Sequence, residues 1–323
     1  MSAKMKIGSL TLHHGIALAP MEEHTHLPFR LMARQYGAGL MFTERVDGDK
    51  VAGGDRRALR QLATEPAEQP CIAQVSGTDP EVMAAAARVI ENLGFAGVDL
   101  NCDCPVNRVI ARGEGGALMD DPAAIARLVA AAVKAVRIPV TVKLRSGPDA
   151  EHETAAEAGR LAAEAGAAAL VVHGRSVAQA YAGPADWAVI GRVKAAVNIP
   201  VFASGNIRTG EDAAAVMRET GADGVAIARG CLGNPWIFRA ARALILGQPA
   251  PPPPSGAERG RVLMGLVEAE FKFFGRQVAA RRLARSACYF AKSLPSFNAF
   301  KAEIQDCHDP KSLKLLIDRH FRG

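Results

Sequence analysis

Nowhere in this 323-residue chain does an apolar run extend far enough to span a bilayer, and the opening MSAKMKIGSL lacks the hydrophobic stretch of a signal peptide. No membrane association is expected. Cysteine is sparse, six residues without regular spacing, which excludes a disulfide framework. Cys102 and Cys104 stand too close for an ordinary bridge, and CxC without a second pair is a poor metal motif, so no metal is expected. A reducing cytoplasm fits this cysteine usage. A GxGxxG after the first strand is also missing, which counts against a doubly wound dinucleotide fold. Aromatics make up only 5% and hydrophobic residues 49%, the balance of a globular chain long enough for one large domain and a smaller one.

The charge is unevenly placed. Residues 251–323 hold 13 Lys+Arg and 7 Asp+Glu, whereas residues 1–250 hold 26 of each, so the whole excess of +6 lies in the C-terminal fifth. A neutral body with a basic appendage points to a polyanionic partner held by its backbone. The plainer reading is a solvated basic helical surface.

After a hairpin-like start over Ile7–His13, strand and helix patterns alternate. Strands are expected at Ile16–Ala19, Leu40–Glu44, Cys71–Val75, Val98–Asn101, Val140–Arg145, Ala169–His173, Val201–Ser204 and Gly224–Ala228. Ala-rich periodic runs such as Pro80–Leu93, Pro122–Val136 and Glu211–Thr220 separate them. Asp79-Pro80 and Asp121-Pro122 read as N-caps followed by proline at the first helical position. Eight strands in this rhythm predict a (β/α)8 TIM barrel over residues 1–247. A proline-rich linker, 248–256, then leads to a small C-terminal helical bundle, 257–323, with helices at Glu258–Phe274, Val278–Lys292, Ser296–Gln305 and Pro310–Phe321. A monomer is expected.

Such barrels carry their chemistry at the C-terminal strand ends. Here those ends hold Pro20-Met21, Glu44, Gln74, Asn101 with Cys104, Lys143 with Arg145, His173 with Arg175, Ser204-Gly205-Asn206 and Arg229-Gly230. A lone strand-end histidine is usually a satisfied structural residue. A Lys and a His ending apolar strands are nevertheless costly to desolvate, and several polar ends converging on one mouth make a purely structural reading poor. The last two ends contain glycine and precede helices, where a phosphate is commonly placed. One phosphate site without a dinucleotide fingerprint suggests FMN, with Lys143 at the electron-rich edge of the ring.

The motifs add up. They include Ala19-Pro20-Met21, Pro28-Phe29-Arg30, Thr43-Glu44, Asp99-Leu100-Asn101 with Cys104-Pro105, and Gly115-Gly116-Ala117-Leu118-Met119. Thr141-Val142-Lys143, His173-Gly174-Arg175, Tyr181, Ala185-Asp186-Trp187 and Gly233-Asn234-Pro235-Trp236 follow. Over nearly its whole length the chain resembles the tRNA-dihydrouridine synthases, FMN enzymes that use NADPH to reduce the C5–C6 double bond of uridine in RNA. The resemblance implies that Cys104 protonates C5 and that Asn101 holds the base beside the flavin. It also implies flavin-ring contacts from Gln74, Lys143 and His173, with Pro20 and Met21 at the first flavin-contacting strand end. Phosphate contacts would come from Ser204, Gly205 and Asn206 and from Ala228 and Arg229, with Arg145 and Arg175 on the substrate side. RNA, tRNA before rRNA, is the implied partner. NADPH is the implied reductant, although no residue here selects it.

A thiol with a pKa near ~8.5 is mostly protonated at neutral pH, which suits an acid better than a nucleophile. Asp103, if turned toward the sulfur, disfavours the thiolate further. Cys102 reads as packing. The chain departs from the pattern at Glu22-Glu23-His24-Thr25-His26, at Asp103 where a glycine is usual, at Ser204 and Asn206, and at Ala228. All of these are expected in the flavin and substrate mouth. Two other readings stay open: an RNA-binding member with altered or lost catalysis, and an FMN barrel acting on a different RNA or on a small pyrimidine.

Overall fold

The computed structural model describes residues 4–322. An antiparallel hairpin, β1 (Met5–Ile7) and β2 (Leu10–Leu12), comes first. The barrel strands follow: β3 (Ile16–Leu18), β4 (Leu40–Asp47), β5 (Cys71–Ser76), β6 (Gly97–Cys102), β7 (Val140–Arg145), β8 (Ala169–His173), β9 (Val201–Ser204) and β10 (Gly224–Ile227). Each pairs in parallel with the next, and β10 pairs with both β9 and β3, so the sheet closes. Helices lie between the strands, which makes this the (β/α)8 barrel that the strand count predicts.

The expected caps form. Asp79 accepts hydrogen bonds from Glu81 N and Val82 N, and Asp121 from Ala124 N. Thr209 and Asp212 complete a capping box at the helix after β9. Each cap contributes about 1 kcal/mol by satisfying N–H groups that the first helical turn leaves free.

Alternation along the strands divides each into two faces. Val98, Leu100 and Cys102 of β6 and Val140, Val142 and Leu144 of β7 pack outward against the helices. The other face fills the barrel with Ala17, Phe42, Ile72, Val171 and Phe202, and Ile7 and Leu12 of the hairpin join that cluster and close its lower end. Cys102 is therefore core, fully buried among apolar neighbours.

β4 runs three residues past its expected end. Its register against β5 shifts between Phe42 and Arg45, a bulge, and the hydroxyl of Thr43 accepts from Gln74 N where the ladder is broken. The strand thereby turns Glu44 away and brings Arg45 to the barrel mouth.

The C-terminal helices are Gly256–Phe274, Arg276–Ala291, Phe297–Glu303 and Pro310–His320. The second starts two residues before its expected Val278, because Gly275, at φ 79°, alone supplies the break between the two long helices. Leu263, Leu266, Val267, Leu283 and Phe290 join the same hydrophobic cluster as the outer barrel face. Among the described residues no helix is long and apolar enough to cross a membrane.

Candidate active site

At the C-terminal end of the barrel the inward-facing polar residues meet across strand pairs. Asn101 lies beside Lys143, Arg145 beside His173, and His173 beside Ser204 in register. They surround a cleft of about 300 Å³. Pro20 and Met21 form one wall of it, Gln74, Asn101 and Cys104 a second, and Lys143 and His173 the floor. Ser204, Gly205 and Asn206 with Ala228 and Arg229 close the far end.

The wall that carries Cys104 is held by a chain of side-chain hydrogen bonds. Thr141 Oγ1 donates to Asp99 Oδ1 at 2.6 Å, and Gln74 Nε2 donates to Asp99 Oδ2 at 2.7 Å. Asn101 Nδ2 in turn donates to Gln74 Oε1 at 2.9 Å, and Asn101 Oδ1 accepts from Cys104 N at 3.1 Å. Since the carboxylate of Asp99 can only accept, it fixes which way both amides point. Burial raises the Asp99 pKa to about 6, against the bonds from Thr141 and Gln74 and the charge of Lys143. The Cys104 thiol is partly buried, and its pKa is raised mainly by that burial. Hydrogen bonding to Val106 opposes the rise, and Asp103 adds to it.

Asp103 does not turn to the sulfur. Its Oδ1 lies 2.8 Å from Lys143 Nζ, 3.5 Å from Arg145 Nε and 3.6 Å from His173 Nδ1. Burial pushes this carboxyl up, but Lys143, then Arg145 and His173, outweigh it and hold the group well below the usual carboxylate range. His173 is lowered to about 3, first by burial and then by Lys143, Arg145 and Arg175, with Asp103 opposing. The floor thus holds a neutral imidazole beside an ammonium–carboxylate pair.

The far end is crowded with positive charge. Arg175 is lowered first by burial and then by Arg229, Arg145 and Arg208, and among the described residues no acidic group offsets them. Arg208 and Arg229 both line the cleft here. A Cβ on Gly205, which has φ +103°, would stand 2.6 Å from the His173 ring, and one on Gly230 2.4 Å from Ile207 O. Backbone this close, with unpaired arginines around it, suits a phosphate.

The two arginines expected on the substrate side, Arg145 and Arg175, stand differently toward the cleft. Arg175 is 1% exposed and does not line the cleft. Its guanidinium donates to Ala182 O, Gly183 O and Asn206 Oδ1, and so ties the loop after β8 to the loop after β9. Arg145 lines the cleft but is 0% exposed, with its donors on Asp103 O, Ser176 O and Ala180 O. Both arginines position loops. Between Arg145 and Arg229 stands the ring of Tyr181, 5.6 and 5.1 Å from the two guanidinium carbons and 55% exposed at the mouth.

The segment Glu22–His26 also differs from expectation. Glu22 and His24 line the cleft, and Glu22 pairs with Arg108 across its mouth. Glu23 instead bonds Arg282 and Arg285 of the C-terminal helices, while His24 stacks edge-on against Tyr289 with centroids 5.6 Å apart. His26 Nδ1 accepts from Phe29 N, which leaves Nε2 to donate to Glu270 Oε1 at 3.0 Å. Glu44 likewise lines a groove between barrel and helices rather than the cleft. The bulky charged segment is an interface as much as a mouth. Arg45 and Tyr289 are cleft residues that the sequence reading missed. Arg45 was hidden by the bulge, and no local signal marks Tyr289.

Similarity to known proteins agrees with this geometry. The family model described as Dihydrouridine synthase (Dus) matches residues 17–322. A tRNA-dihydrouridine synthase B of Xanthomonas axonopodis pv. citri is 37% identical over 318 residues, 98% of this chain and 96% of the relative. Its namesake in Pseudomonas aeruginosa is 35% identical over 318 residues, with the same coverage of 98% and 96%. Among solved structures, morphinone reductase superposes with a TM-score of 0.54 at 15% identity, over 78% of this chain and 90% of that one. A 2-naphthoyl-CoA reductase complex superposes with a TM-score of 0.59 at 12% identity, over 76% and 52%. These two likenesses speak for the barrel alone. A family model spanning almost the entire chain, and relatives above 30% identity over nearly the whole of both chains, settle the matter: this chain belongs to the dihydrouridine synthase family.

Proposed function

We propose that this oxidoreductase reduces the C5–C6 double bond of uridine in tRNA, with FMN as its resident cofactor, NADPH as reductant and Cys104 as proton donor. The observation that carries this reading is the position of Cys104. Its thiol stands on the cleft wall, its backbone is pinned by Asn101, and Lys143 and His173 lie on the adjoining floor. The residues suit FMN: Gln74, Lys143 and His173 would meet the ring, and the arginine-rich end with Gly205 and Gly230 would take the phosphate. When bound and reduced, FMN supplies the hydride to C6 of the uracil.

Everything else falls to the chain. Negative charge then develops toward C5 and O4, and the product needs a proton at C5. A thiol whose pKa is raised keeps that proton at neutral pH and gives it up to a carbanion-like centre in contact. Asn101 has one Nδ2 hydrogen beyond the bond to Gln74, free for the base. The RNA backbone would run over the groove between barrel and helices, where Arg57 and Arg60 lie beside Phe273 and Phe274. Part of the C-terminal positive excess is engaged within the chain, since Arg285 pairs with Glu23 and Arg319 with Glu303. Barrel arginines therefore share the task.

Cys104→Ala tests the proton donor. FMN uptake and NADPH oxidation should persist while reduction of tRNA uridine falls by about 10²–10⁴-fold. Unaltered reduction would remove Cys104 from the role, and protein that takes up no FMN on titration would remove the flavin. Mapping dihydrouridine in tRNA and rRNA, with and without the protein, names the RNA.

A further inference from the structure

One charged side chain in the cleft takes no part in the reaction above. Asp103 is fixed from both sides: Arg145 Nε donates to its carbonyl at 2.7 Å, and the next amide, Cys104 N, is held by Asn101. The side chain is thereby directed onto the floor, with Oδ1 2.8 Å from Lys143 Nζ. The ammonium is thus the nearest of the three cationic or imidazole groups around that oxygen. A glycine at this position would leave the Lys143 ammonium without its counter-ion.

The charges on the floor can be counted. Lys143 and Asp103 cancel, and His173 is neutral. Arg145 donates to three backbone carbonyls, which orient its guanidinium without cancelling its charge. A ring lying over Lys143 therefore meets a floor with one net positive charge, that of Arg145, where the same floor without the Asp103 carboxylate would carry two. Reduced FMN carries one more negative charge on its ring than oxidised FMN, so a free ammonium would favour the reduced form and a neutralised one would not.

We propose that Asp103 is a positioning residue that occupies the Lys143 ammonium and weakens its hold on reduced FMN, so that this chain holds its flavin as a stronger reductant. The inference rests on the FMN reading. It gives the charged residue at this site a purpose, because a stronger reductant favours hydride transfer out of the flavin at the expense of its re-reduction.

The test compares wild type with Asp103→Asn and Asp103→Gly. Affinities for oxidised FMN are read by fluorescence quenching, those for reduced FMN anaerobically, and the potential by dye equilibration. Both variants should shift the ratio of oxidised to reduced dissociation constants toward the reduced form by about tenfold or more. Tenfold is an upward shift of about 30 mV for a two-electron couple. Asp103→Glu, which keeps the charge, should stay near wild type. In a Lys143→Met background the effect of Asp103→Asn should shrink to less than half on a logarithmic scale. FMN bound with an unchanged ratio in both neutral variants overturns the inference while leaving the flavin reading intact. An undiminished shift in the Lys143→Met background overturns the route through Lys143. No FMN bound by wild type or any variant overturns the flavin reading itself, and the inference with it.

Discussion

Asp99 is the root of the hydrogen-bond chain that ends at Cys104, and its replacement should separate acceptor chemistry from charge. Fully buried, it accepts from Thr141 Oγ1 and Gln74 Nε2 at 2.6 and 2.7 Å. Asp99→Asn keeps one carbonyl oxygen for Gln74. Its NH2 then faces Thr141, whose hydroxyl can rotate and accept. The amides of Gln74 and Asn101 keep their orientation, and stability should remain within about 1 kcal/mol of wild type. Asp99→Leu keeps similar bulk but no acceptor, and orphans two buried donors. Each orphan costs about 1–3 kcal/mol, so the leucine variant should lose roughly 2–6 kcal/mol in guanidinium unfolding. With Gln74 free to turn, Asn101 loses its fixed acceptor, and FMN affinity should fall even where the protein remains folded. Equal stability of the two variants, within about 0.5 kcal/mol, would mean that the donors find other partners and that the chain orients nothing.

Two further outcomes follow from the same geometry. His24 is lowered to about 4, by burial first and then by Arg285 and Arg282, and His26 is lowered chiefly by burial, both from 6.5. Native pKa values below the unfolded one mean that the unfolded chain takes up protons first. Stability is therefore full above pH 6.5 and declines as the pH falls from 6.5 toward 4. Discounted for its partial exposure, His24 accounts for about 1–2 kcal/mol of that decline, and His24→Gln should flatten the pH dependence by this amount. Parallel curves for the two proteins between pH ~7 and ~5 would refute it. Gly205→Ala forces a Cβ to 2.6 Å from the His173 ring at φ +103°. It should cost about 1–3 kcal/mol and lower FMN affinity. An alanine protein of unchanged melting temperature and affinity would show that the two loops yield instead.

The barrel and the polar ring at its mouth were legible because their signals are local. Strand alternation has period two, so Gln74, Asn101, Lys143, His173 and Ser204 share the inner face once each strand is placed, and Asp-Pro pairs mark helix starts without any tertiary partner. The β4 bulge escaped the same reasoning, because the register shift depends on a Thr43 hydroxyl meeting the neighbouring strand, and with it went Arg45 and Glu44. Asp103 was visible as an odd residue, but its direction was not. The sulfur one position away is nearer in sequence than Lys143, yet the fold sets the ammonium 2.8 Å from its carboxylate. Arg175 sits in a motif that points to the substrate, and only the fold shows its guanidinium tying two loops together from a buried position. The segment Glu22–His26 carries no local hint that its partners, Glu270, Arg282, Arg285 and Tyr289, lie some 250 positions downstream. Sequence by itself thus determined the periodic elements and the residue types at their ends, since covalent geometry imposes both. Only tertiary structure decided which charges meet, because burial leaves a buried charge only the partners that packing happens to bring within reach.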